Sequence, residues 1–291
     1  MKITFLGTGC PEPSLRRASS GYLVEIAGDK IVFDFGGGVF DRLMQAGHRP
    51  EDIDVLVLSH LHSDHMMDYP RLVHAGWDAG KGLLGTVPLK VFGPAPMADV
   101  HDRYFGENGA LAFDIEARVG NPGSQQVWVE RGGDLPRPGP AVALTEIDAT
   151  WSYETQDWRI TCCEVPHAQP HLLCLAFRID CLTTGKSFVY SGDAARTEDL
   201  INLASGADLL LHWCYRLDGE QEGSFIARLS PSPSEIGQIA AEARVKRLAL
   251  THLRTRSDDD NRHAEILEHA ASTFTGSIDI AEDLAVIELS G

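Results

Sequence analysis

The chain of 291 residues carries a formal net charge of −17, with 43% hydrophobic and 23% charged residues. These proportions exclude global disorder and supply a sizeable core, and no apolar run reaches membrane-spanning length. The acidic balance, with no Lys/Arg stripe to offset it, disfavours nucleic acid as a partner, although a bound dication can override such a field locally.

The N-terminus, residues 1–9, passes directly into a short strand and a Gly turn without the features of a secretory signal, so a cytoplasmic protein is expected. Short β-rich stretches at residues 3–6, 22–26 and 31–35 precede glycines 36–38, after which a helix is predicted over 39–46, closed by Gly47 and Pro50. The run Val55-Leu56-Val57-Leu58 reads as a buried strand. It delivers the box His60-Leu61-His62-Ser63-Asp64-His65, and a helix starting in or just after the box runs toward His74. A strand at 89–92 follows. From 93 to 140 the pattern weakens into Gly, Pro and polar residues, which predicts an irregular insertion or lid that shapes specificity or equally mediates a homodimer.

Strands are predicted again at 143–147, 158–165, 173–179, 187–190, 208–211 and 247–250. Helices fit 197–203, 234–243 with Ser232 or Ser234 as cap, and 261–271. A strand-dense first part and an alternating last part fit an α/β protein of layered sheets flanked by helices, with residues 1–291 as one domain. Cys10, Cys162, Cys163, Cys174, Cys181 and Cys214 lie mostly in apolar strand-like settings without a Cys-x-x-Cys pair, so reduced, packed thiols are expected.

Three imidazoles and a carboxylate within six residues at the end of a buried strand are a candidate metal site, because neutral ring nitrogens and carboxylate oxygens suit zinc or a similar cation. One loop cannot close two coordination spheres, and His, Asp or Glu at the ends of later strands must complete them. His167 follows Cys162-Cys163-Glu164-Val165-Pro166, Asp193 follows Phe188-Val189-Tyr190-Ser191-Gly192, and His252 follows Leu248-Ala249-Leu250-Thr251. His48, His74, His101, His263 and His269 lack this setting and are assigned surface or locally satisfied roles.

Phe5-Leu6-Gly7-Thr8-Gly9, Phe33-Asp34-Phe35-Gly36, the His-x-His-x-Asp-His box, Ser191-Gly192-Asp193 and Thr251-His252-Leu253 occur in order over nearly the whole length. In this series the chain resembles the metallo-β-lactamase fold superfamily, in the branch containing ribonuclease Z and arylsulfatase-like hydrolases. The resemblance implies a four-layer αββα sandwich and two divalent metal ions, most simply zinc, with manganese or iron as alternatives. It implies that His60, His62 and His167 hold one ion, that Asp64, His65 and His252 hold the second, and that Asp193 bridges them. A metal-bridging hydroxide would then attack an ester, Asp64 would take or pass the proton, and Asp34 would orient a ligand from behind.

The substrate is read from departures. Ribonuclease Z has a His-Glu pair where this chain has His212-Trp213-Cys214-Tyr215, and a catalytic His where it has Leu229-Ser230-Pro231-Ser232. Residues 229–253, Asp68-Tyr69-Pro70 and Val91-Phe92-Gly93-Pro94 look more like the arylsulfatase-like members. The expected substrate is therefore a small-molecule sulfate, phosphate or carboxylic ester or a lactone. Trp213 and Tyr215 would line its pocket, with His171 within reach and Trp151 or Trp158 contributing. Two alternatives use the same ligands: a ribonuclease Z-like RNA endonuclease or cyclic-nucleotide phosphodiesterase, and a non-hydrolytic iron-binding or regulatory protein.

Overall fold

Val55, Leu56, Val57 and Leu58 are each at most 2% exposed. Val55 and Val57 face one core, and Leu56 and Leu58 face another. A strand covered on both faces needs an unbroken apolar run, and this one sits inside a layered sandwich. The computed structural model describes residues 1–290.

The first sheet contains β1 (Lys2–Gly7), β2 (Gly21–Ile26), β3 (Asp29–Phe33), β4 (Val55–Val57), β5 (Leu89–Pro94) and β6 (Val142–Ile147). The second contains β7 (Ser152–Glu154), β8 (Trp158–Glu164), β9 (Leu175–Cys181), β10 (Ser187–Tyr190), β11 (Leu209–Trp213), β12 (Arg247–Thr251) and β13 (Ser277–Ile280). The last strand, β14 (Val286–Glu288), returns to the first sheet, whose order is β14-β1-β2-β3-β4-β5-β6; the second runs β13-β12-β11-β10-β9-β8-β7. One part of each sheet is parallel: β3 to β6 in the first, β10 to β13 in the second.

The core between the sheets takes alternate residues of both, among them Phe33, Val57, Phe177, Phe188, Tyr190 and Leu211. The outer face of the first sheet is covered by α1 (Val39–Gln45), the short α2 (Ser63–Met66), α3 (Tyr69–Ala79) and α4 (Met97–Phe105), which share a core built on Val32, Leu56 and Val91. Two further helices, α5 (Ala112–Gly120) and α6 (Pro122–Glu130), follow α4. The second sheet is covered by α7 (Glu198–Leu203), α9 (Pro233–Glu242) and α10 (Asp260–Ala271), with α8 (Phe225–Leu229) in the loop leading to α9. The result is the expected αββα layering.

The segment from 93 to 140 departs from its predicted irregularity, because it carries α4, α5 and α6. No residue of α5 is fully buried: Ala112, Ile115 and Val119 are only half-buried while Phe113 is exposed, which blurs the stripe in a nine-residue helix. Asn121-Pro122, a loop signal by composition, is instead a helix start: Asn121 caps α6 by accepting from the Ser124 N–H, and Pro122 takes the first turn.

Candidate metal centre

The parallel strands of both sheets end on one edge of the sandwich, and their carboxyl ends carry the candidate residues. Asp34 follows β3, the His-rich box follows β4, Asp193 follows β10, Trp213 ends β11 and His252 follows β12. His167 arrives by the loop after β8. The two sheets are tied at this edge by a Gly9–Leu253 bridge and by a hydrogen bond of 2.9 Å between Tyr22 Oη and Thr251 Oγ1, next to His252. Tyr22→Phe should cost about 1–3 kcal/mol by orphaning the buried Thr251 hydroxyl, read as a shift of the denaturation midpoint at unchanged m-value.

Local backbone makes the approach feasible. A Cβ on Gly36 would lie 2.0 Å from the Asp64 carbonyl oxygen, so only glycine lets the loop after β3 run against the box. Gly36→Ala is expected to destabilise by about 1–3 kcal/mol and to weaken metal retention on dialysis; a variant of unchanged stability would contradict this packing. Asp34 and His252 hold φ of 57° and 62°, left-handed values that non-glycine residues adopt at a cost and that surrounding structure must enforce.

Ligand atoms converge in three overlapping groups: His60, His62 and His167; His60, His65 and Asp193; Asp64, His65 and His252. His62 Nδ1 lies 3.0 Å from His60 Nε2 and 3.3 Å from His167 Nε2. Asp64 Oδ2 lies 3.1 Å from His252 Nε2 and 3.4 Å from His65 Nε2. Asp193 stands between the groups, with Oδ1 3.5 Å from His65 Nε2 and Oδ2 3.3 Å from His252 Nε2 and 3.6 Å from His167 Nε2. Donors about 2.05 Å from a tetrahedral zinc ion are separated by about 3.3 Å. The spacings therefore suit donors sharing cations.

Electrostatics agree with this donor set. Burial pushes His60 and His167 toward the neutral, ligating form. Burial also opposes ionisation of Asp64 and Asp193, but neighbouring His252 and His65 outweigh it and hold both carboxyls well below the ordinary range. His65 is disfavoured as a cation by burial, yet Asp193 and Asp34 draw its pKa well above the usual value. The carboxylates thus call for positive charge at this point. His65 Nε2 and Asp193 Oδ1 are buried and have no hydrogen-bond partner among the described residues, and so are free to ligate.

Behind this layer, Asp34 accepts from Ser59 N at 2.7 Å, Ser59 Oγ at 2.7 Å, Tyr190 Oη at 2.7 Å and His65 Nδ1 at 2.7 Å. With a carboxylate on Nδ1, the His65 proton stays there and the Nε2 lone pair faces the cluster. Neither Ser59 nor Tyr190 stands out from sequence. The one signal for Tyr190 is its place on the inner face of β10, where a buried phenol requires a partner.

Trp213 is wedged between two of the imidazoles, its ring 5.3 Å from His167 and 5.6 Å from His252, and its Nε1 donates to Ala194 O at 2.6 Å. Tyr215 stacks on Trp213 at 6.0 Å and lies 6.1 Å from His252. His171 is exposed, and among the described residues no hydrogen bond joins its ring to the cluster. Trp151 packs on Phe92, and Trp158 lies in the inter-sheet core with Nε1 on Asp29; neither reaches the site. The remaining histidines find local partners: His48 near Glu25, His74 on Asp114, His101 on Tyr69, His263 on Asp258 and His269 near Asp218. Asp258, His263 and Glu282 also cluster, but Arg17 Nη2 lies 2.8 Å from both carboxylates and already supplies the cation.

A profile of the family described as "Beta-lactamase superfamily domain" matches residues 29–253. The chain is 30% identical over 300 residues to a protein named ribonuclease Z from Mycolicibacterium gilvum, covering 99% of this chain and 96% of that one. Among solved structures it is similar to the metallo-beta-lactamase fold protein YhfI from Bacillus subtilis, at TM-score 0.72 and 22% identity over 99% of both chains. It is also similar to the short form of human tRNase Z, at TM-score 0.70 and 20% identity over 100% of both. Relatives named ribonuclease Z overturn the expectation of a small-molecule ester with nucleic acid disfavoured. Net charge misled because it averages the whole surface, whereas recognition of a polyanion depends on local groups and bound cations. The fold implies divalent metal ions, and no helix among the described residues is long and apolar enough to cross a membrane. With the family profile spanning most of its length, the chain belongs to the beta-lactamase superfamily and is a hydrolase of the metallo-β-lactamase fold.

Proposed function

We propose that this hydrolase is a binuclear metal-dependent phosphodiesterase acting on RNA, an endoribonuclease of the ribonuclease Z kind. The observation that carries the reading is a buried cluster of two ligand triads meeting at Asp193, on a chain matched over 99% of its length by proteins named ribonuclease Z.

His60, His62 and His167 would hold one ion and Asp64, His65 and His252 the other, with Asp193 contacting both. Two zinc ions would supply Lewis acidity toward a phosphoryl oxygen and an acidified water as nucleophile. Asp64 engages His252 and His65 through Oδ2, which leaves Oδ1 as proton acceptor. Trp213 and Tyr215 wall the cluster on the β11 side and limit water there, while Asp34 keeps the His65 proton on Nδ1. His212 does not join the site: it is fully buried, bonds the Trp213 carbonyl through Nδ1 and is pushed down to about 4 by burial. His212 therefore supplies no proton to the leaving oxygen.

Purified protein loaded with zinc or manganese should cleave RNA carrying a 3′ extension and bis(p-nitrophenyl) phosphate, and a chelator should abolish both activities. Turnover of p-nitrophenyl sulfate or cyclic nucleotides with RNA left intact would refute the RNA reading. Bound metal at two equivalents per chain is expected by elemental analysis.

A further inference from the structure

Away from the metal centre, the helices of residues 97–130 and the loop that follows meet α3 in a cluster of arginines that the catalytic reading does not use. A cavity of about 380 Å³ is lined by Asp78, Arg118, Ser124, Trp128, Arg131 and Arg137 among others. A second, of about 640 Å³, shares Asp78, Arg118 and Arg131 and adds Arg49 and His74. Asp78 lies nine residues along α3 from Tyr69, so the cluster sits roughly 14 Å down that helix from the end beside the metal-binding box.

Arg137 is 5% exposed. Its guanidinium lies 4.3 Å from the Trp77 ring and 5.0 Å from the Trp128 ring. Its Nη2 meets Asp78 Oδ1 at 3.1 Å, while its Nε is buried with no hydrogen-bond partner among the described residues. Arg118 shares the same Asp78 oxygen at 3.2 Å and reaches Asp114 through Nε at 2.9 Å. Arg131 bonds only the Asp78 backbone carbonyl, at 3.1 Å, among the described residues. Asp114 is also engaged by His74 at 2.6 Å. Three guanidiniums thus face two carboxylates, and the first turn of α6 opens on the same cavity through Gly123 and Ser124. On a chain of net charge −17, a local excess of cations with a helix N-terminus and an unused buried donor is an arrangement for an oxyanion.

We propose that these joined cavities form a phosphate-binding site that holds a backbone phosphate of the RNA, remote from the scissile bond; this rests on the RNA reading above. Arg118, Arg131 and Arg137, with Arg49 beside its own partner Glu51 at the rim, come from three stretches of chain, so no basic stripe marks the site in the sequence.

The test uses the metal-loaded protein and one RNA with a 3′ extension, followed by fluorescence anisotropy and by steady-state cleavage, with bis(p-nitrophenyl) phosphate as the small reference substrate. Arg131→Gln removes a cation that holds no carboxylate. Ser124→Asp puts a negative charge in the first turn of α6, which favours the helix but repels a phosphate. Each should raise the RNA dissociation constant about 3- to 10-fold at ~0.1 M salt, and Arg131→Gln should reduce the salt slope by about one unit. The ratio of RNA to small-diester kcat/KM should fall by a similar factor. Unchanged RNA affinity and salt slope in both variants would overturn the proposal, as would an equal loss on both substrates. Calorimetric titration with orthophosphate separates the sources of the anion: binding that depends on Arg131, with RNA affinity unaffected, marks a free-phosphate site and refutes the RNA assignment. If the wild type hydrolyses no diester, the catalytic reading falls, while anisotropy still decides the fate of this site.

Discussion

Asp193→Ala is expected to abolish diester hydrolysis and to leave the protein with less than its full complement of metal. The carboxylate is placed to serve both triads at once, within 3.3–3.6 Å of nitrogens from His65, His167 and His252. Removing an outer-shell partner of a metal ligand typically costs about 10- to 100-fold; loss of a group shared by two ions should exceed that, and a fall of at least ~10³-fold in kcat/KM is expected. The fold should survive. In the metal-free protein Asp193 is a buried anion among histidines, and alanine removes its desolvation cost together with its attractions. Elemental analysis, circular dichroism and kcat/KM on the small diester together provide the check. Wild-type turnover in a folded Asp193→Ala protein would refute the assignment of this residue, and loss of the near-ultraviolet spectrum would show that its part is structural instead.

The site was legible to the extent that it obeys local rules. The box at 60–65 is dense enough to stand out alone, and His167, Asp193 and His252 each follow an apolar strand into a turn, a pattern visible residue by residue. What sequence could not convey was coincidence in space between distant groups. The Asp34 shell joins β3, the residue after β4 and β10, and neither Ser59 nor Tyr190 carries a spacing that advertises it. The same holds for the fold. Long apolar strands and capped helices lie close to their predicted limits, with Thr197 and Ser232 capping α7 and α9. The misses are short or half-exposed: β7 and β14 have three residues each, β13 has four and α8 has five, and of α4 to α6 only Met97 and Trp128 are buried. The error over nucleic acid has a related origin, since a net charge summed along the sequence does not tell where cations gather on the folded surface.

Asp34→Ala is expected to destabilise the protein more than Tyr22→Phe, Gly36→Ala or Asp193→Ala, and to lower its metal affinity as well. Four donors end on this carboxylate, from Ser59 N and Oγ, Tyr190 Oη and His65 Nδ1, and both Asp34 and His65 are fully buried. Alanine leaves all four donors at a fully buried position without their shared charged acceptor. Breaking a buried charged pair on one side costs about 3–5 kcal/mol, a large share of the roughly 5–15 kcal/mol that separates a native domain from its unfolded chain. The left-handed backbone at Asp34, φ 57°, adds to the cost, because alanine tolerates that region less well than aspartate. Asp34→Asn separates stability from metal binding. Its amide oxygen can still accept from Ser59 or Tyr190, so most of the stability should return, but a neutral acceptor no longer favours the cationic partner or raises the basicity of His65. Metal affinity should therefore fall roughly 10- to 100-fold while the denaturation midpoint stays closer to wild type. Competition against a chromogenic chelator measures the first and urea unfolding the second. Equal metal affinity in Asp34→Asn and wild type would mean that His65 needs no orienting partner, and the role given to Asp34 would fall.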